Sequence, residues 1–200
     1  MRLIYLRHGE RVRGGKDGAL TDHGCQQATL AGTWLRERGH QPTHLQTTPT
    51  IRTIRTGGLA IAQAMPSGCV LLRPRNGMAD TPPRWDRLVA ELAKRLGPDA
   101  TVLLVGHEAT QSFIERTWAQ DRRAPQRNHC AAFVLEGEPG GDWQCLDAVG
   151  GVEDLPASPK SERAQVPAVA VAVAVAVAVA VAVRPQQSQG GQARPNRHRP

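Results

Sequence analysis

The sequence predicts a three-layer α/β/α sandwich with a mostly parallel sheet. Short apolar runs of strand length alternate with longer amphipathic stretches of helix length through the first 150 residues, and this alternation is typical of βαβ units. The chain also has 40% hydrophobic and 22% charged residues over 200 positions. This composition is sufficient for one folded domain with a core of ordinary size.

The first two predicted elements are a strand and an amphipathic helix. Residues 3–6 are apolar and of strand length. The helical periodicity that follows begins after Thr21, which suits an N-cap, and stops before Gly39, which suits the position just past a helix end. The residues expected on the buried face of this helix are Leu30, Trp34 and Leu35.

The remaining elements continue the alternation. We expect, in order, a strand at 43–47, a helix at 49–64, a strand at 70–72, a helix at 83–97 closed by Gly97, a buried strand at 101–106, a helix at 108–120, and a hairpin-like pair of strands at 130–137 and 142–149. In folds of this kind, ligands bind beyond the carboxyl ends of the strands. The residues that follow the strands are therefore the candidates for a functional site.

The composition changes sharply near residue 152. We expect a folded domain at 1–152 and a low-complexity tail at 153–200 that is disordered or partly helical. The tail contains an uninterrupted Ala-Val alternation at 168–183. As a helix this run would span only ~24 Å, whereas the hydrocarbon core of a bilayer is ~30 Å thick, so a membrane anchor is not favoured.

Charge and cysteine content narrow the function classes. The tail from residue 184 carries four of the seven net positive charges, which leaves +3 for the rest of the chain. No basic face interleaved with aromatic residues is visible, so nucleic acid is not expected as a partner. The four cysteines form no C-x-x-C pair, and the N-terminus lacks the apolar length of a secretory signal. These features predict reduced thiols and a cytoplasmic protein.

Histidine and arginine residues follow three of the predicted strands. The histidines and arginines concerned are Arg7, His8, Arg52 and His107, and the adjoining candidates are Gly9 and Glu108. A neutral imidazole can attack phosphorus and hold the phosphoryl group covalently. A guanidinium group can donate two parallel hydrogen bonds to two oxygens of one phosphate group. The pattern therefore outlines a phosphate site. No spacing typical of metal ligands is present, so a metal is not expected.

Each of these residue types has a physical reason to be in such a site. His8 suits the nucleophile, and nearby cations would lower its pKa and keep it unprotonated. Gly9 would let the backbone approach a ligand closely. The helix that starts after His107 would supply amide donors, and Glu108 would lie in its first turn, where its charge suits the helix dipole.

Four motifs in this order, LRHGE, LTDHG, TTPTIRTIRT and VLLVGHEAT, resemble those of the histidine phosphatase superfamily, also called the phosphoglycerate mutase-like family. The resemblance covers about residues 1–150. It implies a phosphoglycerate mutase-like fold, phosphorylation of His8 during catalysis, a phosphate pocket completed by Arg7, Arg52 and His107, and no cofactor. The compact length is most similar to the short branch that contains the SixA-type phosphohistidine phosphatases.

The general acid is the least defined part of this resemblance. Many members of the family carry a Glu after the third strand, whereas LLRPRNGMADTPPRW contains none. Asp80 is the nearest carboxylate and is the first candidate for the proton donor, with a helix-cap or loop role as the alternative. Glu10 and Glu108 are the other candidates.

The resemblance implies a metal-independent phosphatase that acts on a phosphorylated small molecule or a phosphohistidine protein through a phosphohistidine intermediate. Two alternatives stay open: a catalytically weak phosphate-binding or scaffold domain, and a phosphoglycerate mutase-type phosphotransferase. The mutase is less favoured, because no long insertion is present that could retain a phosphorylated intermediate. The histidines interpreted as surface or structural residues are His23, His40, His44 and His129.

Overall fold

The structure, a computed structural model, describes residues 1–14, 18–65, 69–75, 81–119 and 128–151. Its elements are β1 (Arg2–Arg7), α1 (Asp22–Glu37), β2 (His44–Thr47), α2 (Ile51–Ala64), β3 (Val70–Leu71), α3 (Pro82–Leu96), β4 (Thr101–Gly106), α4 (Glu108–Thr117), β5 (Ala132–Gly137) and β6 (Trp143–Val149). The predicted alternation is confirmed, with ends that differ by up to three residues. The expected tail at 153–200 lies outside the described residues, and the domain boundary stays a prediction.

The six strands form one sheet in the order β3-β2-β4-β1-β5-β6. The first four are parallel to one another, whereas β5 and β6 are each antiparallel to the preceding strand in this order. The predictions of a mostly parallel sheet and a terminal hairpin are therefore confirmed. Arg7 pairs with Gly106 and Thr47 with Val105, so β1, β2 and β4 end side by side at one edge of the sheet.

Helices cover both faces of the sheet, which confirms the three-layer architecture. Successive strand residues point to opposite faces. In β1, Ile4 and Leu6 belong to the apolar cluster shared with α1 and α2, whereas Leu3 and Tyr5 belong to the cluster shared with α3 and α4. All four side chains are fully buried. Two apolar cores, one on each face of the sheet, thus hold β1 in place.

Helix α1 begins as predicted and packs closely on α2. The Thr21 hydroxyl accepts a hydrogen bond from the Gly24 amide at 2.9 Å and caps the helix. The buried stripe of α1 consists largely of small residues, and a Cβ at Gly32 would lie 2.2 Å from the Ala60 carbonyl oxygen. The expectation that Leu30 is buried is wrong. Its side chain is 39% exposed, because it lies off this stripe.

The tryptophans contribute to packing. Trp85 is fully buried and its ring contacts those of Phe113, Trp118 and Trp143.

All four cysteines are free thiols. Within the described ranges, no helix combines the length and the apolar character needed to cross a bilayer.

Candidate functional site

His8 lies directly after β1, at the edge where the parallel strands end. Its backbone amide donates to the Gly106 carbonyl at 3.1 Å, and its side chain is buried with the residue 7% exposed. The ring Nδ1 is 2.8 Å from the Gly9 carbonyl oxygen. Because a carbonyl can only accept, this bond places the ring proton on Nδ1. Nε2 therefore keeps its lone pair for attack on an electrophile.

The surroundings of His8 keep the imidazole neutral. Burial, first of all, and the positive charges that His107, Arg52 and His129 can carry lower its pKa from 6.5 to about 3, although the bond to the Gly9 carbonyl acts in the opposite direction. A neutral imidazole is the form that can act as a nucleophile. A neutral His8 is the form that the predicted role requires, and the role itself stays a prediction.

Arg7 is the last residue of β1 and its guanidinium is held by helix α4. Nη2 donates to Glu108 Oε2 at 3.1 Å, and Nη1 lies 3.5 Å from Gln111 Oε1. The residue is only 8% exposed. Glu108 lies in the first turn of α4, as predicted, and its carboxylate orients the Arg7 fork. The bonds fix a positive charge beside the histidines.

His107 follows β4, and its ring lies beside that of His8. The two centroids are 5.3 Å apart, in an edge-to-face arrangement with an interplanar angle of 68°. His107 Nε2 is 3.1 Å from the Thr48 hydroxyl oxygen, which fixes the orientation of the ring. Burial, followed by the charges of Arg52 and Arg7, lowers the pKa of His107. The structure thus brings the two predicted histidines together.

Arg52 lies in the first turn of α2, close enough for its charge to lower the pKa of both His8 and His107. Helix α2 is tied to the loop after β1 through Thr56. The Thr56 hydroxyl accepts from the Gly9 amide at 3.0 Å and donates to the Arg52 carbonyl at 2.7 Å. The position of Arg52 relative to His8 is therefore set by a direct contact between the two segments.

The packing of the loop after β1 on α1 requires a glycine at position 9. A Cβ there would lie 2.4 Å from the carbonyl oxygen of Gly24, and a Cβ at Gly24 would lie 2.1 Å from that of Glu10. Two backbones therefore meet where these glycines lie. The missing side chain at Gly9 makes room for the start of α1, and the predicted approach of its backbone to a ligand stays a prediction.

The candidates for the general acid differ in their surroundings. Glu10 Oε2 accepts from the Thr21 hydroxyl at 2.8 Å and lies 3.3 Å from His23 Nδ1. The Thr21 bond, first of all, lowers the pKa of Glu10, so this carboxyl group stays ionised and is poorly suited to donate a proton. Glu108 is paired with Arg7. Asp80 lies outside the described residues.

One residue of the site was missed in the sequence. His129, interpreted as a surface or structural residue, has its ring centroid 5.7 Å from that of His8, at an interplanar angle of 45°. It precedes β5, which runs antiparallel to β1. The start of an antiparallel neighbour lies beside the end of β1, and this relationship is the signal that could have identified His129.

The described residues contain no group of three or more His, Cys, Asp or Glu side chains placed to hold a metal ion. What they do bring together is one buried neutral imidazole, two guanidinium groups and two further imidazoles. Positive charge and hydrogen-bond donors around a nucleophile are suited to a tetrahedral oxyanion such as phosphate. The arrangement can bind a phosphoryl group and accept it on His8 Nε2.

Comparison with known proteins shows the fold to which this arrangement belongs. No protein-family model matches the chain. An alignment over 69 residues, which covers 31% of this chain and 30% of the other protein, shows 39% identity to the 2,3-bisphosphoglycerate-dependent phosphoglycerate mutase of Erythrobacter litoralis. The chain thus matches less than a third of the length of this curated relative.

Solved structures resemble the chain over most of its length. The protein histidine phosphatase SixA in complex with tungstate superposes with a TM-score of 0.58 at 18% identity, over 78% of this chain and 100% of that one. Phosphoglycerate mutase from Bacillus anthracis gives 0.56 at 16% identity, over 76% and 93%. A mycobacterial glucosyl-3-phosphoglycerate phosphatase in complex with VO3 gives 0.50 at 19% identity, over 73% and 97%. At these identities the likeness shows a common fold.

Proposed function

We propose that this chain, which has the phosphoglycerate mutase-like fold of the histidine phosphatases, is itself such a phosphatase and hydrolyses a phosphomonoester or a phosphohistidine without a metal ion. The observation that carries this proposal is the hydrogen bond from His8 Nδ1 to the Gly9 carbonyl. It leaves Nε2 unprotonated in a site that holds two arginines and a second histidine. These are the nucleophile and the charge clamp that phosphoryl transfer requires.

In the first step, His8 Nε2 attacks phosphorus and the bond from phosphorus to the leaving group breaks. The leaving group departs with the bonding electron pair and takes up a proton, for which Asp80 is the proposed donor. Arg7, Arg52 and His107 bind the phosphoryl oxygens and balance their charge. The phosphorylated imidazole keeps its proton on Nδ1, where the Gly9 carbonyl stabilises the positive charge.

In the second step, water attacks the phosphorus of phosphohistidine and the bond to Nε2 breaks. The electron pair returns to Nε2, so His8 is recovered as the neutral imidazole with which it began. The water gives up a proton to the carboxylate that Asp80 became in the first step, which restores the donor, and inorganic phosphate leaves. Glu108 takes part indirectly in both steps, because its carboxylate orients Arg7 and its amide lies at the start of α4.

Proteins that share this fold have been observed with bound oxyanions, and their names indicate the classes of substrate to consider. SixA has been seen with tungstate and the mycobacterial phosphatase with VO3, and both ligands are oxyanions, as phosphate is. The name of SixA describes a protein histidine phosphatase. The proposed substrate class is therefore a phosphohistidine protein or a phosphorylated small molecule.

A phosphoglycerate mutase-type phosphotransferase is the second candidate, because the relative that is 39% identical over 69 residues is a phosphoglycerate mutase. Such an enzyme would use the same intermediate on His8. It would return the phosphoryl group to a second hydroxyl of a bound phosphoglycerate rather than to water. The two activities thus differ in the acceptor of the second step.

The test is release of inorganic phosphate from p-nitrophenyl phosphate, a phosphohistidine peptide and 3-phosphoglycerate, in the presence of EDTA. Wild type is compared with His8→Asn, and with His44→Asn as a control, since His44 lies at the opposite end of its strand from the site. We expect turnover by wild type and the control, and none by His8→Asn. Isomerisation of phosphoglycerate without net hydrolysis would favour the mutase. Oxyanion binding without any turnover would favour the scaffold alternative.

A further inference from the structure

We propose that His129 is an additional phosphate-binding residue of this site, which contacts the bound phosphoryl group and takes up a proton when a dianionic oxyanion binds. The assignment deepens the proposed function, since it adds a side chain to the same pocket. It rests on the position of the ring, on its free hydrogen-bonding capacity among the described residues, and on the charged groups that surround it.

A turn at the entrance to β5 places His129. The Ala131 amide donates to the Asn128 carbonyl at 3.3 Å, and Cys130 has a φ of 57°. Positive φ at the third residue of such a turn, but not at the second, is the pattern of a type II turn. A left-handed conformation costs energy at a residue other than glycine and persists only where the surroundings enforce it.

The same turn is joined to the nucleophile. The Cys130 amide lies 3.4 Å from the His8 carbonyl oxygen, and the Arg7 amide donates to the Ala131 carbonyl at 2.9 Å. His129, the second residue of the turn, is therefore held beside His8 by the backbone contacts of the two residues that follow it. The turn has a fixed position relative to the nucleophile, as a ligand-binding side chain requires.

The distance from His8 supports contact with the phosphoryl group. The ring centroid of His129 is 5.7 Å from that of His8, compared with 5.3 Å for His107. A phosphoryl group on His8 Nε2 projects its oxygens sideways from the nitrogen, within reach of imidazoles at such separations. Two imidazoles at similar distances are thus placed to contact the same group.

The nitrogen atoms of the His129 ring have no hydrogen-bond or ion-pair partner among the described residues. Its side chain is half-buried, and no side-chain hydrogen bond or ion pair within residues 1–14, 18–65, 69–75, 81–119 and 128–151 engages it. By contrast, the ring of His40 is bound to the carboxylate of Asp147. A histidine with a structural role would be expected to have such a partner.

Charges from several elements act on His129. Burial, first of all, and the positive charge of Arg7 on β1 lower its pKa, and His23 on α1 acts in the same direction. Glu10, after β1, and Glu108, on α4, act in the opposite direction. The free site therefore holds a neutral His129 near pH 7. A dianion bound at Arg7 offsets the positive charge and favours the protonated ring, so binding and protonation are linked.

The experiment measures tungstate binding by isothermal titration calorimetry at pH 6.5 to 8.5, in buffers of different ionisation enthalpy. Comparison between buffers gives the number of protons taken up per ion. The proteins are the full chain, His129→Ala, His129→Asn and, as a matched control, His44→Ala. Tungstate serves as the probe because it remains dianionic over this range, and binding does not require turnover. Circular dichroism verifies that each variant is folded.

We expect His129→Ala to bind tungstate about 10- to 100-fold more weakly than wild type, as is typical for the loss of a hydrogen bond to a charged group. His129→Asn keeps an N–H donor that does not titrate, so we expect intermediate affinity. Proton uptake should fall in both variants and stay unchanged in His44→Ala.

Two results would overturn the assignment, and they differ in what they say of the enzyme. Unchanged tungstate affinity and proton uptake in both His129 variants, with wild type active as a phosphatase, would show that only the role of His129 is wrong. Failure of wild type to bind tungstate would remove both the oxyanion site and the assignment. Normal binding effects without turnover would support His129 and contradict the phosphatase.

Discussion

The hydroxyl group of Tyr5, in the middle of β1, donates a hydrogen bond of 2.5 Å to the backbone carbonyl of His107 at the end of β4. Tyr5 is fully buried, and burial raises its pKa, so the hydroxyl keeps its proton and remains a donor. The bond reaches from one core cluster to the segment that holds the second histidine. Tyr5 thus holds the backbone carbonyl of His107, and Thr48 holds its imidazole ring.

Tyr5→Phe tests the first of these contacts. The variant removes only the hydroxyl and leaves the carbonyl of His107 without this donor. We expect unfolding free energy to fall by about 1–2 kcal/mol, measured by urea denaturation, and kcat to fall as well, because His107 is less firmly held. A loss of stability with unchanged kcat would show that the bond serves the core and not the site.

Thr48→Val tests the hydrogen bond between Thr48 and the ring of His107. The Thr48 hydroxyl is 3.1 Å from His107 Nε2, and valine has nearly the same shape without the hydrogen bond. We expect kcat/KM toward p-nitrophenyl phosphate to fall roughly 10-fold, as for one lost hydrogen bond of about 1.4 kcal/mol.

The matched control is Thr29→Val, since Thr29 donates to the Cys25 carbonyl within α1. It removes a similar hydroxyl in a segment that does not contact His107. Equal losses of kcat/KM in the two variants would contradict a specific role for Thr48.

The buried His8 should make the protein less stable in acid. Between pH 6.5 and about 3, unfolded His8 binds a proton whereas folded His8, with its pKa lowered to about 3, does not. The unfolded state then binds more protons, so stability falls as the pH falls. Between pH 7 and pH 5, His8 thus lowers the free energy of unfolding by roughly 2 kcal/mol.

His8→Asn removes this titration. Urea denaturation of both proteins at pH 7 and pH 5 should show a smaller loss of stability in the variant, by roughly 2 kcal/mol. His107 and His129, whose pKa values are also lowered, are present in both proteins and cancel in the comparison. Parallel pH dependence of the two proteins would show that His8 is not held in its neutral form.

The sequence predicted the fold well because the signals for each element are local. Thr21 at an N-cap, Gly97 at a helix end and the apolar run at 101–106 each specify a boundary without reference to the rest of the chain. The strand ends then predicted that His8 and His107 would meet. That inference needed only the parallel arrangement of the strands.

The features that the sequence did not predict depend on contacts between distant segments. Leu30 was expected inside, but the close approach of α1 to α2 selects small residues for the buried stripe. His129 joins the site because β5 is antiparallel to β1 and because Cys130 adopts a positive φ. Neither the neighbour of a terminal strand nor the conformation of one cysteine can be inferred from local spacing.

Glycines at crowded positions provide the last prediction, which separates stability from activity. A Cβ at Gly32 would lie 2.2 Å from the Ala60 carbonyl oxygen, and one at Gly9 would lie 2.4 Å from that of Gly24. Both contacts are with backbone atoms, so relief requires the elements to move apart. We expect Gly32→Ala and Gly9→Ala each to lower the unfolding free energy by about 1–3 kcal/mol or more, measured by urea denaturation.

The two variants should differ in the activity of the molecules that remain folded. Gly32 is a residue of α1 at its contact with α2, so Gly32→Ala should keep its turnover per folded molecule. Gly9→Ala displaces the carbonyl that fixes His8, and this variant should lose its turnover. Gly141→Ala is the control, because its nearest neighbour would be 3.5 Å away, and we expect a change within about 0.5 kcal/mol. Wild-type turnover by folded Gly9→Ala would contradict the proposal that the Gly9 carbonyl sets the nucleophilic form of His8.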